Sequence, residues 1–274
     1  MLAFIHIEKA AGQTFIRILE NNFVYRHCRV APLKKEHKGV FQWADLQLLM
    51  KINPFLNALA GHSVVPYSDL SEYKSDIRYI TILRDPVKRY ISHYQYWVQV
   101  LNKQISFEKF LSIEDLNNFQ TKKIAGSADV SSAKKTVKEK IFLAGVVEEF
   151  DDFLVILKNK MAPGSFDIRY KRRNVAKGNL IKKNIFERFD KYKENILSNN
   201  QLDQELYHYV KETSFQKEKA QWLKKDDCQI VNDQPNLATK LNREIIGRIY
   251  RNLYIGPVTN IIRKLNGLKP GGSY

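Results

Sequence analysis

The chain has 274 residues, 44% of them hydrophobic, which suits one large domain or a domain with an appended subdomain and excludes a disordered chain. Lysine and arginine number 45 against 29 aspartates and glutamates, a formal charge of +16, so the surface attracts anions: nucleotide phosphates, sulfated or carboxylated glycans, nucleic acid or acidic lipid. Two cysteines, Cys28 and Cys228, lie far apart without metal-ligand spacing, which excludes a disulfide framework and points to a reducing compartment. No stretch reaches the roughly 18 apolar residues of a membrane span, and no charged and apolar leader pattern follows Met1. A cytoplasmic, bacterial protein is the expectation, although a secretory-pathway enzyme shortened at its start would read the same.

"LAFIHI" at the start is a short β-rich run, and Phe15, Ile18, Leu19 and Asn22 fall at helical spacing, so strand, loop and helix open the chain. Residues 23–40 read as irregular and basic. "FQWADLQLLMKI" is a helix that stops before Pro54, and "FLNALAGHSVV" is a short strand ending near Gly61 and His62. "SDIRYITILR" is the strongest strand and runs straight into "DPVKRYISHYQYWVQVL", where Asp85 as N-cap and Pro86 at the first helical position start a helix. Short helices fill 106–124, "GSADVSS" is a loop, and "KIFLAGVV" is a buried strand feeding the helix "EEFDDFLVILKNKM".

Three strand-to-helix units predict an α/β fold, a mostly parallel sheet with helices on both faces. From about Asn179 the pattern turns helical and charged, and "NNQLDQELYHYVKETSFQ" places Leu202, Leu206, Tyr209 and Val210 on one side. "REIIGRIYRNLYIGPVTNIIRKL" reads as a packed C-terminal helix pair; the alternative is a basic amphipathic element on acidic lipid. The expected division is a main domain over 1–228 and a helical extension over 229–274 packed on it.

In such a sheet ligands bind beyond the carboxyl ends of strands, where the next helix presents unpaired N–H groups. "EKAAGQT" sits there. Gly12 lets the backbone turn tightly, Ala10 and Ala11 allow close approach of a phosphate, Thr14 adds a hydroxyl and Lys9 a point charge. It is not a Walker A loop, since one glycine stands alone and the lysine precedes it. A turn capped by Gly12 and Thr14 would have the same sequence. Arg84 ends the best strand and Ser92 lies about two helical turns later, so both can face the crevice that Lys9 faces, and His62 stands at the end of a third strand.

Together these segments resemble the PAPS-dependent carbohydrate sulfotransferases, the group of the heparan sulfate 2-O- and 6-O-sulfotransferases and their bacterial relatives. "FIHIEKAAGQTF" is similar to that family's 5′-phosphosulfate loop, and "ITILRDPVKRYISHY" to its 3′-phosphate motif, L-R-D-P-V-x-R-x-x-S-x-Y. "NNFQTKKIAG", "LAGVVEEFDDFLVIL" and "NNQLDQELYHYV" resemble further family segments in the same order, so the likeness spans roughly residues 3–210.

The resemblance implies a P-loop-NTPase-like three-layer fold with PAPS, 3′-phosphoadenosine 5′-phosphosulfate, as donor. It implies that Lys9 and the backbone of Ala10, Ala11, Gly12, Gln13 and Thr14 hold the 5′-phosphosulfate, that Arg84 and Ser92 bind the 3′-phosphate, and that His62 is the general base. "RRNVAKG", residues 172–178, falls where the family has another donor-contacting loop. The chain departs from the pattern at Glu8 for proline, Ala10 for threonine and Gln13 for a hydroxyl residue. Ala60 stands where the 2-O members carry a second histidine, which argues against a 2-O acceptor.

The reaction so implied is in-line displacement, with His62 taking the acceptor proton and Lys9 stabilising the leaving oxygen. A sulfuryl group carries less charge than a phosphoryl group and no carboxylate cluster appears, so no metal is expected; Asp85 before Pro86 reads as a helix cap. An ATP-dependent P-loop-type kinase would need a Walker lysine and a magnesium-holding carboxylate, both missing. A nucleic-acid binder lacks any zinc spacing or RNP-like segment, so no nucleic acid is expected, and an inactive glycan-binding relative would not need Lys9, His62, Arg84 and Ser92 together. The acceptor partner is expected to be a carbohydrate, with Lys122, Lys123, Lys134, Lys135, Lys171, Arg172 and Arg173 either on its side of the site or on a solvated face.

Overall fold

The computed structural model describes residues 1–73, 76–161, 166–170, 189–223 and 237–270. Its centre is a five-stranded sheet in the order β2-β3-β1-β4-β5, made of β1 (Leu2–Ile5), β2 (His27–Arg29), β3 (Ala58–Gly61), β4 (Arg78–Leu83) and β5 (Ile141–Val146). Every pairing in it is parallel. A parallel sheet must be covered on both faces, and the strand sequences show it: β1 is buried at all four positions and β4 at all but Arg78.

Side chains alternate between two packed layers, as the two-residue period of a strand requires. Leu2, Phe4, Ala58, Ala60, Ile80 and Ile82 pack against α1 (Gly12–Phe23) and the later helix Phe150–Met161 through residues such as Phe15, Leu19, Phe153 and Leu157. Ala3, Ile5, Leu59, Leu83 and Val146 face the opposite layer. That layer contains α2 (Trp43–Ile52), α6 (Phe119–Ala125), α7 (Val130–Glu139) and the helix over residues 201–222, which begins as Gln201–Tyr209. The fold is thus the three-layer α/β arrangement that the sequence pattern and the resemblance imply.

Between these stand α3 (Leu70–Tyr73), α4 (Pro86–Gln99) and α5 (Phe107–Leu111). In chain order the helix Phe150–Met161 is α8, Lys193–Asn199 is α9, and residues 201–222 form α10. A third apolar cluster joins α4, α5 and α9 through Tyr90, Phe107, Phe110 and Ile196. Asp85 caps α4 by accepting from the Lys88 amide at 2.9 Å, as its place before Pro86 predicts.

Three elements differ from the sequence expectation. Residues 23–40 are not wholly irregular, because His27–Arg29 adds an edge strand to β3; three residues of mixed polarity carry no periodic signal. Within "GSADVSS" the loop ends early, since Asp129 accepts from the amides of Ser131 and Ser132 and starts α7 at Val130. The C-terminal helix pair is one continuous helix, α11, over residues 237–265, with wide π turns at Arg243–Gly247 and Tyr250–Ile255. The second of these π turns lies just before Pro257, whose ring has no N–H to give, and the chain does not break there.

Candidate active site

Connections from β1 run to one side of the sheet and those from β4 to the other, so the crevice opens where the carboxyl ends of β1 and β4 lie side by side. The loop after β1 reaches α1 through two left-handed residues, Lys9 (φ 67°) and Ala11 (φ 59°). Alternation of this kind turns successive backbone N–H groups toward one concavity, and the first turn of α1 adds its own.

The left-handed positions of this turn are Lys9 and Ala11, and Gly12 is not among them. Its role is close approach: a Cβ at Gly12 would lie 2.0 Å from His6 Cδ2, so the buried His6 ring fills the space of a side chain. Ala10 is turned into the core, Thr14 is buried, and Gln13 is exposed.

Arg84 follows β4 and its Nη1 donates to Lys9 O at 3.0 Å, tying the two loops together. Its backbone is clamped from both sides, since Arg84 N donates to Gln120 Oε1 and Gln120 Nε2 donates to Arg84 O, each at 2.9 Å. Gln120 is buried in the first turn of α6, where Asp203 of α10 accepts from the Gln120 amide at 3.0 Å and the Thr121 amide at 2.7 Å. Neither Gln120 nor Asp203 is singled out by the sequence; their signal lay only in belonging to "NNFQTKKIAG" and "NNQLDQELYHYV".

Lys9 Nζ sits 4.5 Å from the centre of the Tyr96 ring on α4. Ser92 is one turn before Tyr96, and residues four apart share a helix face, so Ser92 lies on the side of α4 that meets Lys9. Burial, and secondly Arg84, lowers the Lys9 pKa below the usual lysine value, and burial does the same to Arg84. Two cations that repel each other and have lost part of their water gain from an anion between them. Among the described residues neither Lys9 nor Arg84 makes a salt bridge.

His62 follows β3, half-exposed, with its ring stacked on His6 at 4.1 Å between centres. Its Nδ1 faces two acceptors, His6 O at 3.0 Å and Glu8 Oε1 at 3.1 Å. An imidazole nitrogen between two acceptors carries the hydrogen, which leaves a lone pair on Nε2 of the neutral ring. Burial would raise the Glu8 carboxyl, yet its hydrogen bond to His62, the charge of His62 and that of Lys123 hold it down to about 2. Burial, with His62 beside it, pushes His6 down to about 3, so its ring stays neutral.

Lys123 Nζ donates to His62 O, which brings one of the seven candidate acceptor-side cations to the site. Lys122 instead donates to Glu114 O, and Lys134 pairs with Glu205 at 2.6 Å. Lys135 is exposed on α7. Lys171, Arg172, Arg173 and the segment "RRNVAKG" lie outside the described residues. Among the described residues no three histidine, cysteine, aspartate or glutamate side chains cluster as metal ligands would.

Lys9, Arg84, Ser92 and His62 therefore converge on one edge of the sheet, and Glu8, Gln120 and Asp203 join them. Residues 1–255 match a protein-family model described as "Sulfotransferase family". No curated protein matches the chain significantly.

Proposed function

This chain belongs to the sulfotransferase family, and we propose that it moves the sulfuryl group of PAPS to a hydroxyl of a carbohydrate, with His62 as general base. The observation that carries the reading is the His62 ring, held as an acceptor at Nε2 by Glu8 and His6 O, at the same end of the sheet as Lys9 and Arg84, which stand on two joined loops and make no salt bridge among the described residues.

The residues fit such a donor. Lys9 and Arg84 match its anionic groups, and the backbone from Ala10 to Thr14 with the start of α1 suits the 5′ end. In the transfer, the acceptor oxygen bonds to sulfur as its proton passes to His62 Nε2. The bond from sulfur to the bridging oxygen breaks, and 3′-phosphoadenosine 5′-phosphate leaves with the electron pair. Lys9 stabilises the charge growing on that oxygen, an effect strengthened where water is excluded. Glu8 keeps the proton on Nδ1 and favours the imidazolium that forms.

Calorimetric titration with 3′-phosphoadenosine 5′-phosphate tests the donor: tight binding lost in Arg84→Ala is expected, and preference for ATP with magnesium refutes it. Incubation of the labelled donor with a glycan panel tests the acceptor class. His62→Ala is expected to abolish transfer while nucleotide binding persists.

A further inference from the structure

Among the described residues the exposed apolar surface is concentrated on one helix. Nine of the fifteen exposed large hydrophobic residues among those described lie on α11, including Leu253 at 75% exposure and Leu265 at 80%. From Leu237 to Leu265 every fourth residue is leucine or isoleucine except Pro257. The positions two residues away, Arg243, Gly247, Arg251, Ile255 and Thr259, are buried against the domain: Arg243 Nη1 donates to Asn21 Oδ1 at 2.8 Å, and Ile255 joins the core. Two opposed rows of the same period thus run along the helix, one packed inward and one facing water.

A four-residue repeat drifts by about 40° per step on an α-helix of 3.6 residues per turn, so over this length the row would wind most of the way around. The π turns at Arg243–Gly247 and Tyr250–Ile255 are wider and drift the other way, which holds the row along one side. The result is a nearly straight apolar stripe about 43 Å long.

We propose that this stripe docks the protein in the plane of a membrane surface bearing anionic lipid. The charge of the segment fits that occupant: residues 237–270 carry seven lysines and arginines and one carboxylate, Glu244, and of the seven only Arg243 and Arg251 are buried in the inward row among those whose side chains are described. Arg248 and Lys264 flank the stripe and are exposed, Arg248 in a surface ion pair with Glu244 at 3.1 Å. On the other flank Tyr254, Tyr250, Tyr25 and the 63% exposed Phe55 form a contiguous aromatic patch, the kind of side chain that settles at a lipid headgroup boundary. A second copy of a chain charged +16 would bring like charges together along the same face. Among the described residues no helix is long and apolar enough to cross a membrane, so the contact lies in the interface.

Flotation of the full chain with vesicles tests this. Binding to phosphatidylcholine containing a quarter phosphatidylglycerol is expected, with little binding to phosphatidylcholine alone. Ile249→Glu/Leu253→Glu is expected to abolish flotation, and Arg248→Ser/Lys264→Ser to weaken it on the order of tenfold; circular dichroism and melting temperature show that both variants fold. Failure of the unaltered chain to float, or equal flotation of the Ile249→Glu/Leu253→Glu variant, overturns the proposal. So does a dimer on size exclusion that this variant converts to monomer, which assigns the stripe to a second copy.

Discussion

Glu8 Oε1 stands 3.1 Å from His62 Nδ1, so one of the residues that depart from the family's loop pattern is the one that orients the proposed base. On the proposed mechanism, a carboxylate in this place fixes the tautomer of the base and stabilises the imidazolium formed during transfer. It is a positioning residue.

Glu8→Gln keeps the shape of the side chain and removes its charge. The expected result is a fall in kcat on the order of 10- to 100-fold with the donor KM nearly unchanged. Unchanged kcat with a raised donor KM would place Glu8 in the donor site instead.

Gly12→Ala drives a methyl group to 2.0 Å from the His6 ring. Forcing that ring aside costs about 1–3 kcal/mol and disturbs the His6–His62 stack. The variant is expected to melt lower and to transfer slowly. Adding His6→Ala is expected to restore part of the lost stability, and simple additivity of the two changes in melting experiments would contradict the packing account.

Gln120→Ala leaves the Arg84 amide and carbonyl without their partners. Arg84 keeps its charge, so the expected effect is a weaker affinity for 3′-phosphoadenosine 5′-phosphate, on the order of tenfold, rather than its loss. Calorimetry reads this directly, and an affinity equal to that of the unaltered protein rules the clamp out.

Stability is expected to fall with acid in a defined window. Burial lowers His6 and His27 to about 3 and His93 to about 4, all from the usual 6.5. Between those values and 6.5 the unfolded chain takes up protons that the folded chain does not. The stabilisation is full above pH 6.5 and declines below it, by up to about 1.4 kcal/mol per pH unit for each histidine. Glu8 adds to the loss below its usual 4.5. Urea midpoints from pH 8 to pH 5 measure this, and a flat profile would mean that the three rings are hydrated in the folded protein.

Much of the fold was legible because its strands are dense in apolar and β-branched residues and its helices begin at recognisable caps such as Asp85. β2 was not, since "HCR" pairs with β3 through backbone alone and covers only three residues. Lys9, Arg84, Ser92 and His62 were legible as strand-end or helix-face residues. Glu8, Gln120 and Asp203 were not, because their roles arise from contacts between segments that are distant in the chain. For Gly12 the sequence showed only a tight turn: the need for glycine also comes from the His6 ring across the loop, and the left-handed positions fall on Lys9 and Ala11. The continuity of α11 escaped because the segment reads as a helix pair, and its π turns carry no signal in the sequence.

The clamp on Arg84 has a consequence for how the protein is made. Asp203 holds the start of α6, and Asn118 just before it accepts from the Leu202 amide at 3.0 Å. A chain emerging from the ribosome therefore has its β1 loop and Arg84 long before it has the segment that fixes them. On the proposed reading, a nucleotide at this edge would meet the complete clamp on Arg84 only once α10 has been synthesised and docked.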